Sequence, residues 1–276
     1  MRKMLLVTLV LMAPLCLAML PSCATSGQGS AGSSAAPASS GVDDTAERYA
    51  AYYAKCQEYS TIYGAPSMES VGMKSSVASG LALVRLVDFD GDGTDELLLG
   101  YIVAKSNHDS YEQAVEVWSY RDGSAVCDCI TGFSPHTTNG FFPYIEVASR
   151  SDGPGAVIVK KSCFGSGPAR FAYELLGYGQ DGSFGALLRI ANESKYEGTY
   201  FICPVAVDAY WHTEDWNEVT KEEYDSAFRS IAGETTLHLH MFDEDAVAAN
   251  CEYGSSLSDT IASTRETISY LAQHAG

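Results

Sequence analysis

From Asp43 onward the spacing of apolar positions changes character twice. After Asp43-Asp44-Thr45, the residues Ala46, Tyr49, Tyr53, Cys56, Tyr59 and Tyr63 recur at steps of three and four, which predicts a helix with one apolar face ending at Gly64 and Pro66. A tyrosine-rich stripe of this kind packs on a core, the alternative being a platform for stacking a ligand. The period then shortens to that of strands. Leu81 to Val87 and Leu97 to Val103 flank one loop, and Ala114 to Tyr120 and Ala125 to Ile130 flank the turn Arg121-Asp122-Gly123-Ser124. A similar order follows: Ala156 to Val159 after Ser151-Asp152-Gly153, then Phe171 to Tyr178 and Phe184 to Ile190 around Gly179-Gln180-Asp181-Gly182. Gly93 to Gly153 is 60 positions and Gly123 to Gly182 is 59, which predicts a duplicated four-stranded unit. Towards the C-terminus, Thr220 to Glu223 reads as a capping box for a helix reaching Ile231. Thr235 to Phe242 alternates as a strand, and Ser258 or Asp259 opens a last helix with Leu257, Ile261, Thr264, Ile268 and Leu271 along one side. The fold class expected is α+β, mainly antiparallel hairpins with helices at both ends covering a sheet face or edge.

The first 42 residues follow neither pattern. Two positive charges, Arg2 and Lys3, precede a mostly apolar run from Leu5 to Leu20, the layout of a secretory signal. The run is short for a spanning helix, which needs about 20 apolar residues. It closes on Leu20-Pro21-Ser22-Cys23, and this ending resembles the bacterial lipobox, in which the cysteine is acylated and becomes the new N-terminus. The resemblance implies a signal over residues 1–22 and lipid on Cys23. Ordinary secretion, cut after Ala24, is the other reading. From Ala24 to Gly41 the chain is nearly all Ala, Ser, Gly and Thr, with nothing to bury, so residues 23–42 are expected to form a flexible tether ahead of a single domain over 43–276.

Charge and cysteine narrow the setting. The formal net charge is -18, from 17 basic and 35 acidic residues, and loss of Arg2 and Lys3 with the signal takes it to 15 − 35 = −20. Such a surface argues against nucleic acid or anionic headgroups held by bulk charge. Beyond Cys16 and Cys23, six cysteines remain: Cys56, Cys127, Cys129, Cys163, Cys203 and Cys251. An even number in an exported chain suggests disulfides, with connectivity open. Cys127 and Cys129 are expected on one strand face and to pair with other partners, since residues so close along an extended chain bridge only with strain.

The clearest chemistry is Asp88-Phe89-Asp90-Gly91-Asp92-Gly93-Thr94-Asp95-Glu96. Asp88, Asp90 and Asp92 stand at positions 1, 3 and 5 of a loop whose sharp turn is permitted by Gly93. The carbonyl of Thr94 and the carboxylate of Glu96 extend an oxygen shell suited to calcium rather than to the tighter octahedron of magnesium. An EF-hand is excluded because Leu99 stands where that motif needs a bidentate Glu, and because the flanks are strand-like. Four acids in one tight turn repel each other, and a divalent ion relieves that repulsion. In the second unit the aligned positions are Ala148, Arg150 and Asp152, so no ion is expected there.

This arrangement resembles the DxDxDG loop of FG-GAP repeats, as in integrin alpha-chain propellers and VCBS-type surface proteins. The resemblance covers Leu81 to Ile130 well and the second unit weakly. It implies a structural calcium ion joining two strands of a blade, though two four-stranded units are too few for a closed propeller. With the lipobox, the chain resembles Gram-positive surface lipoproteins carrying such a loop. The function expected is a non-enzymatic, calcium-stabilised binding or scaffolding module, lipid-anchored on the outer face of the cell membrane, with a protein or glycan partner and no nucleic acid. Two alternatives stand beside it: a glycan-binding protein using Tyr210, Trp211, His212 and Trp216, and an envelope hydrolase whose site no motif reveals. No GxSxG, HExxH, P-loop or dinucleotide-binding pattern occurs in the folded region. His238 and His240 share a strand face without an evident third metal ligand.

Overall fold

Thirteen strands among the described residues form two antiparallel sheets. The computed structural model describes residues 44–70, 75–104, 111–133, 144–164, 170–193, 198–203, 205, 215–239, 242–244 and 256–276, which belong to one unit, Asp43–Gly276. The proposed signal, tether and Cys23 lie outside them, as do Tyr210, Trp211, His212, His240 and Cys251.

The first sheet has the order β1 (Ser67–Ser70), β2 (Ser75–Val87), β3 (Glu96–Ala104), β4 (Tyr111–Arg121) and β5 (Ser124–Phe133). The second runs β11 (Asn217–Val219), β10 (Thr199–Cys203), β9 (Phe184–Glu193), β8 (Arg170–Tyr178), β7 (Ala156–Phe164), β6 (Tyr144–Arg150) and β12 (Ala232–Leu239). A short β13 (Phe242–Glu244) returns to the first sheet and pairs with the start of β2. The α+β class with mainly antiparallel hairpins is therefore the fold observed.

The duplication is visible in the pairing. Strands β2 to β5 and β6 to β9 are each a four-stranded meander, and the second hairpin of each carries one register shift. In the first copy Asp128 is the extra residue, since Val117 pairs with Cys129 and Trp118 with Cys127. In the second it is Leu187, since Leu175 pairs with Leu188 and Leu176 with Ala186. The bulges lie 59 positions apart, the spacing seen in the turn glycines.

Alternation along the strands gives each sheet two buried faces. The inner faces meet in one core, with Ala82, Leu98, Val115 and Val117 from the first sheet against Ile145, Val147, Ile158 and Leu176 from the second. The outer face of the first sheet, with Leu81, Val84, Leu97 and Leu99, is covered by α1 (Thr45–Tyr63) and by Leu271 of α3 (Leu257–His274). The outer face of the second, with Val157, Val159, Leu175 and Ile190, takes Tyr224, Phe228 and Ile231 of α2 (Lys221–Ile231). The buried face of α1 is Arg48, Tyr49, Tyr52, Cys56 and Tyr59, so Tyr52 belongs to the stripe and Ala46 is exposed. The tyrosines pack as core, and Tyr52 is fully buried. Capping boxes close the starts of α2, at Thr220 and Glu223, and of α3, at Ser256 and Asp259. The cap of the last helix is thus Ser256, two residues earlier than Ser258.

Cysteine placement bears on four of the six disulfide candidates. Cys56, Cys127, Cys129 and Cys203 are free thiols. Cys56 faces the α1 core, Cys129 the inter-sheet core and Cys203 a small cluster on the second sheet, so separate cores hold them apart. Cys127 and Cys129 do not share a face, because the Asp128 bulge turns the strand between them. Burial pushes the Cys56 thiol up to about 12 and those of Cys129 and Cys203 up to about 11. The side chain of Cys163 is outside the described set.

Candidate metal centre

The Asp88–Glu96 segment links β2 to β3, as two strands that pair directly from Val87 and Glu96 require. Its acids first serve the turn itself. Asp88 accepts from the N–H groups of Gly91 (2.7 Å) and Gly93 (3.0 Å), Asp90 from Asp92 (3.1 Å), and Asp92 from Thr94 (2.6 Å). Glu96 accepts from the Phe89 N–H at 2.7 Å. These bonds wrap the backbone around its own carboxylates.

The result is a gathering of oxygens. Ligand atoms of Asp88, Asp90 and Glu96 all lie within 4.8 Å of one another. Glu96 is only 4 % exposed, and no described lysine or arginine forms an ion pair with any of the three. Burial, followed by the neighbouring carboxylates, pushes Glu96 up to about 8 against the opposing Phe89 N–H. Burial likewise raises Asp90. Asp92 and Thr94 line the recess beside the loop, but the Asp92 carboxylate does not join the 4.8 Å group. Of the five residues read from sequence as oxygen ligands, three carboxylates converge and two stand alongside. The donor set is hard oxygen throughout, which fits calcium.

No protein family, curated protein or solved structure matches the chain.

Between Asp88 and Asp90, Phe89 turns inward. It is fully buried in the inter-sheet core, edge-on to Phe184 at 5.6 Å, and Phe184 in turn meets Tyr178 at 5.0 Å. The Phe89 carbonyl accepts from the Ala156 N–H of the second sheet at 3.3 Å. Here the acidic loop docks backbone to backbone on its repeat-related partner, residues 151–155. A Cβ on Gly155 would lie 2.4 Å from the Phe89 carbonyl oxygen, and one on Gly91 would lie 2.4 Å from the Pro154 Cβ. Both glycines also have positive φ, 90° and 77°. Neither Phe89 nor this glycine pair carries a sequence signal beyond the turn, because the contact is 60-odd residues distant along the chain.

The partner loop is built differently. Arg150 stands where Asp90 stands in the first copy and grips Asp152 with two hydrogen bonds, 2.8 and 2.7 Å, while donating to the Tyr178 carbonyl. Its guanidinium holds Asp152 below the usual carboxylate range. Ala148, at the first ligand position, is buried on the opposite face of the sheet. Trp216 packs on Phe201 at 5.5 Å, and His238 lies 3.2 Å from Glu146.

Proposed function

We propose that this chain is a non-enzymatic lipoprotein of a bacterial surface, anchored through Cys23, whose Asp88–Glu96 loop binds one calcium ion as a structural staple. The observation that carries the calcium reading is the convergence of Asp88, Asp90 and Glu96, one of them buried, none of them ion-paired to a lysine or arginine among the described residues. Uncompensated, that convergence costs stability, and a divalent ion turns the cost into attraction. Asp88, Asp90 and Glu96 would hold the ion, with Asp92 and the Thr94 carbonyl placed to add oxygens. The ion would supply positive charge and a fixed geometry, locking the turn that seats Phe89. FG-GAP-like kinship rests on the loop sequence and on the paired four-stranded units. Anchoring rests on the N-terminal sequence alone.

Two experiments test these readings separately. Calorimetric titration of the folded domain with calcium should give one site per chain, with a dissociation constant of about 10⁻⁴–10⁻³ M as for other extracellular modules. Asp88→Asn should abolish the heat, and a titration without heat in the unsubstituted protein overturns the calcium reading. For the anchor, Cys23→Ala in the full chain should prevent fatty-acid labelling and move the protein from the membrane fraction to the medium. Retention of both label and membrane association by the variant sinks the lipobox assignment.

A further inference from the structure

Four loops, two from each copy of the repeat, gather at one end of the sheet pair around an open recess of about 620 Å³. We propose that this recess is a binding site for an uncharged, hydroxyl-rich ligand of the saccharide class. Its volume falls within the range of about 300–1,000 Å³ usual for small-molecule sites.

The charged groups on its walls are Asp90, Asp92, Glu96, Arg121, Arg150 and Asp152. Four acids against two guanidinium groups give a formal −4 + 2 = −2, and with a divalent ion in the loop and its ligand Asp88 counted the sum is −5 + 2 + 2 = −1. In neither state is there surplus positive charge to hold an anion. Both arginines are already engaged, Arg121 with Asp128 and Ser119, Arg150 with Asp152 and the Tyr178 carbonyl. Those bonds fix them in place, so their remaining N–H groups are presented without further loss of side-chain freedom. Arg121 is still 52 % exposed and Asp152 42 %, which leaves donors and acceptors open to a ligand.

The chemistry of the wall selects among ligands. Guanidinium groups only donate hydrogen bonds and carboxylates only accept them, and here both kinds surround one space. A carboxylate or phosphate ligand would satisfy the arginines and oppose the acids. An ammonium group would do the reverse. Vicinal hydroxyls each donate and accept, so a sugar satisfies both sets at once. An apolar ligand would strip water from the exposed charged groups without return. The inference does not depend on the calcium reading, since the sum excludes anions with or without the ion.

The test is an array of neutral oligosaccharides probed with the folded domain in calcium and again in EGTA, followed by calorimetry on the strongest hit. Arg121→Ala should weaken binding about tenfold or more, as loss of an anchoring side chain does. Gln180→Trp provides a second arm: Gln180 is exposed on the recess wall, so added bulk there should block the ligand while leaving the melting temperature and the calcium response unchanged. No binding of any neutral oligosaccharide in either buffer overturns the proposal, and so does a hit that both variants bind as tightly as the unsubstituted domain. A domain that responds to calcium yet binds no sugar removes the recess inference alone. One that binds sugar in EGTA but never responds to calcium removes the metal reading alone.

Discussion

Saturating calcium should raise the melting temperature of the domain by about 5–10 °C, and Asp90→Ala should abolish the rise. The magnitude follows from mass action. With a dissociation constant of about 10⁻⁴ M, calcium at about a hundredfold excess stabilises the fold by about 2.7 kcal/mol. For a unit of this length each kcal/mol is worth about 2–4 °C. Acidity gives the effect a sign. Glu96 sits at about 8 in the folded chain without an ion, against 4.5 for an ordinary glutamate. A carboxyl group whose folded value is raised binds its proton more tightly when folded, so the metal-free fold loses stability as pH rises from 4.5 through 8. Ionised Glu96 is also the form that meets a cation. The calcium increment should therefore grow between pH 5 and pH 8, measured by melting in EGTA and in calcium across that window. An increment independent of pH, or one that survives in Asp90→Ala, would place the ion elsewhere or nowhere.

The reach of this loop exceeds that of a two-strand clip. Asp88 and Asp90 flank Phe89 along the chain, Phe89 fills the space between the sheets, and its carbonyl accepts from the Ala156 N–H of the opposite sheet. An ion that holds Asp88 and Asp90 would thus steady the joint between the two copies, together with the Gly91–Gly155 contact. The second loop reaches the same compactness with a guanidinium. Arg150 bridges Asp152 and the backbone of Tyr178, so that corner carries its own cation.

Much of this was legible in the sequence because the signals were local. Turn glycines, apolar alternation and the Thr220 capping box are each read within about ten residues, and they placed β2 to β5, β7 to β9 and α2, with α3 found from its apolar spacing but its cap set two residues late. The converging positions of Asp88, Asp90 and Glu96 follow from spacing in one tight turn. What was not legible depends on distant partners. The short edge strands β1, β11 and β13 have no pattern of their own and exist because β2 and β10 offer free edges. Tyr52 joins the buried stripe because its hydroxyl reaches the Asp95 carbonyl at 3.2 Å, a contact 43 residues away along the chain. Parity and export say nothing of which core each thiol enters, and Cys56, Cys129 and Cys203 enter separate ones. A single inserted residue, Asp128, was enough to send Cys127 and Cys129 to opposite faces.

Glu116→Ala should be among the most destabilising single substitutions in the domain, costing about 3–5 kcal/mol in urea unfolding. Glu116 is 2 % exposed on the outer face of the first sheet, beneath α1. Its carboxylate accepts from the Tyr59 hydroxyl at 2.5 Å, the Tyr101 hydroxyl at 3.0 Å and the Trp118 indole N–H at 2.8 Å. Those three rings also pack on each other, with Tyr59 to Tyr101 at 5.3 Å and Tyr59 to Trp118 at 6.2 Å. Removing the carboxylate leaves three donors without an acceptor in an apolar setting, each at a cost of about 1–3 kcal/mol before relaxation. It also opens a void where the rings converge. Glu116→Gln keeps the shape and one acceptor oxygen, and tyrosine hydroxyls can turn to accept from the new amide, so its cost should be nearer 1 kcal/mol. Tyr59→Phe provides the cross-check: its own cost of about 1 kcal/mol should vanish in the Glu116→Ala background, because the partner is already gone. If Glu116→Ala unfolds within 1 kcal/mol of the unsubstituted domain, water reaches these donors and the α1 face is not the sealed polar knot that the distances describe.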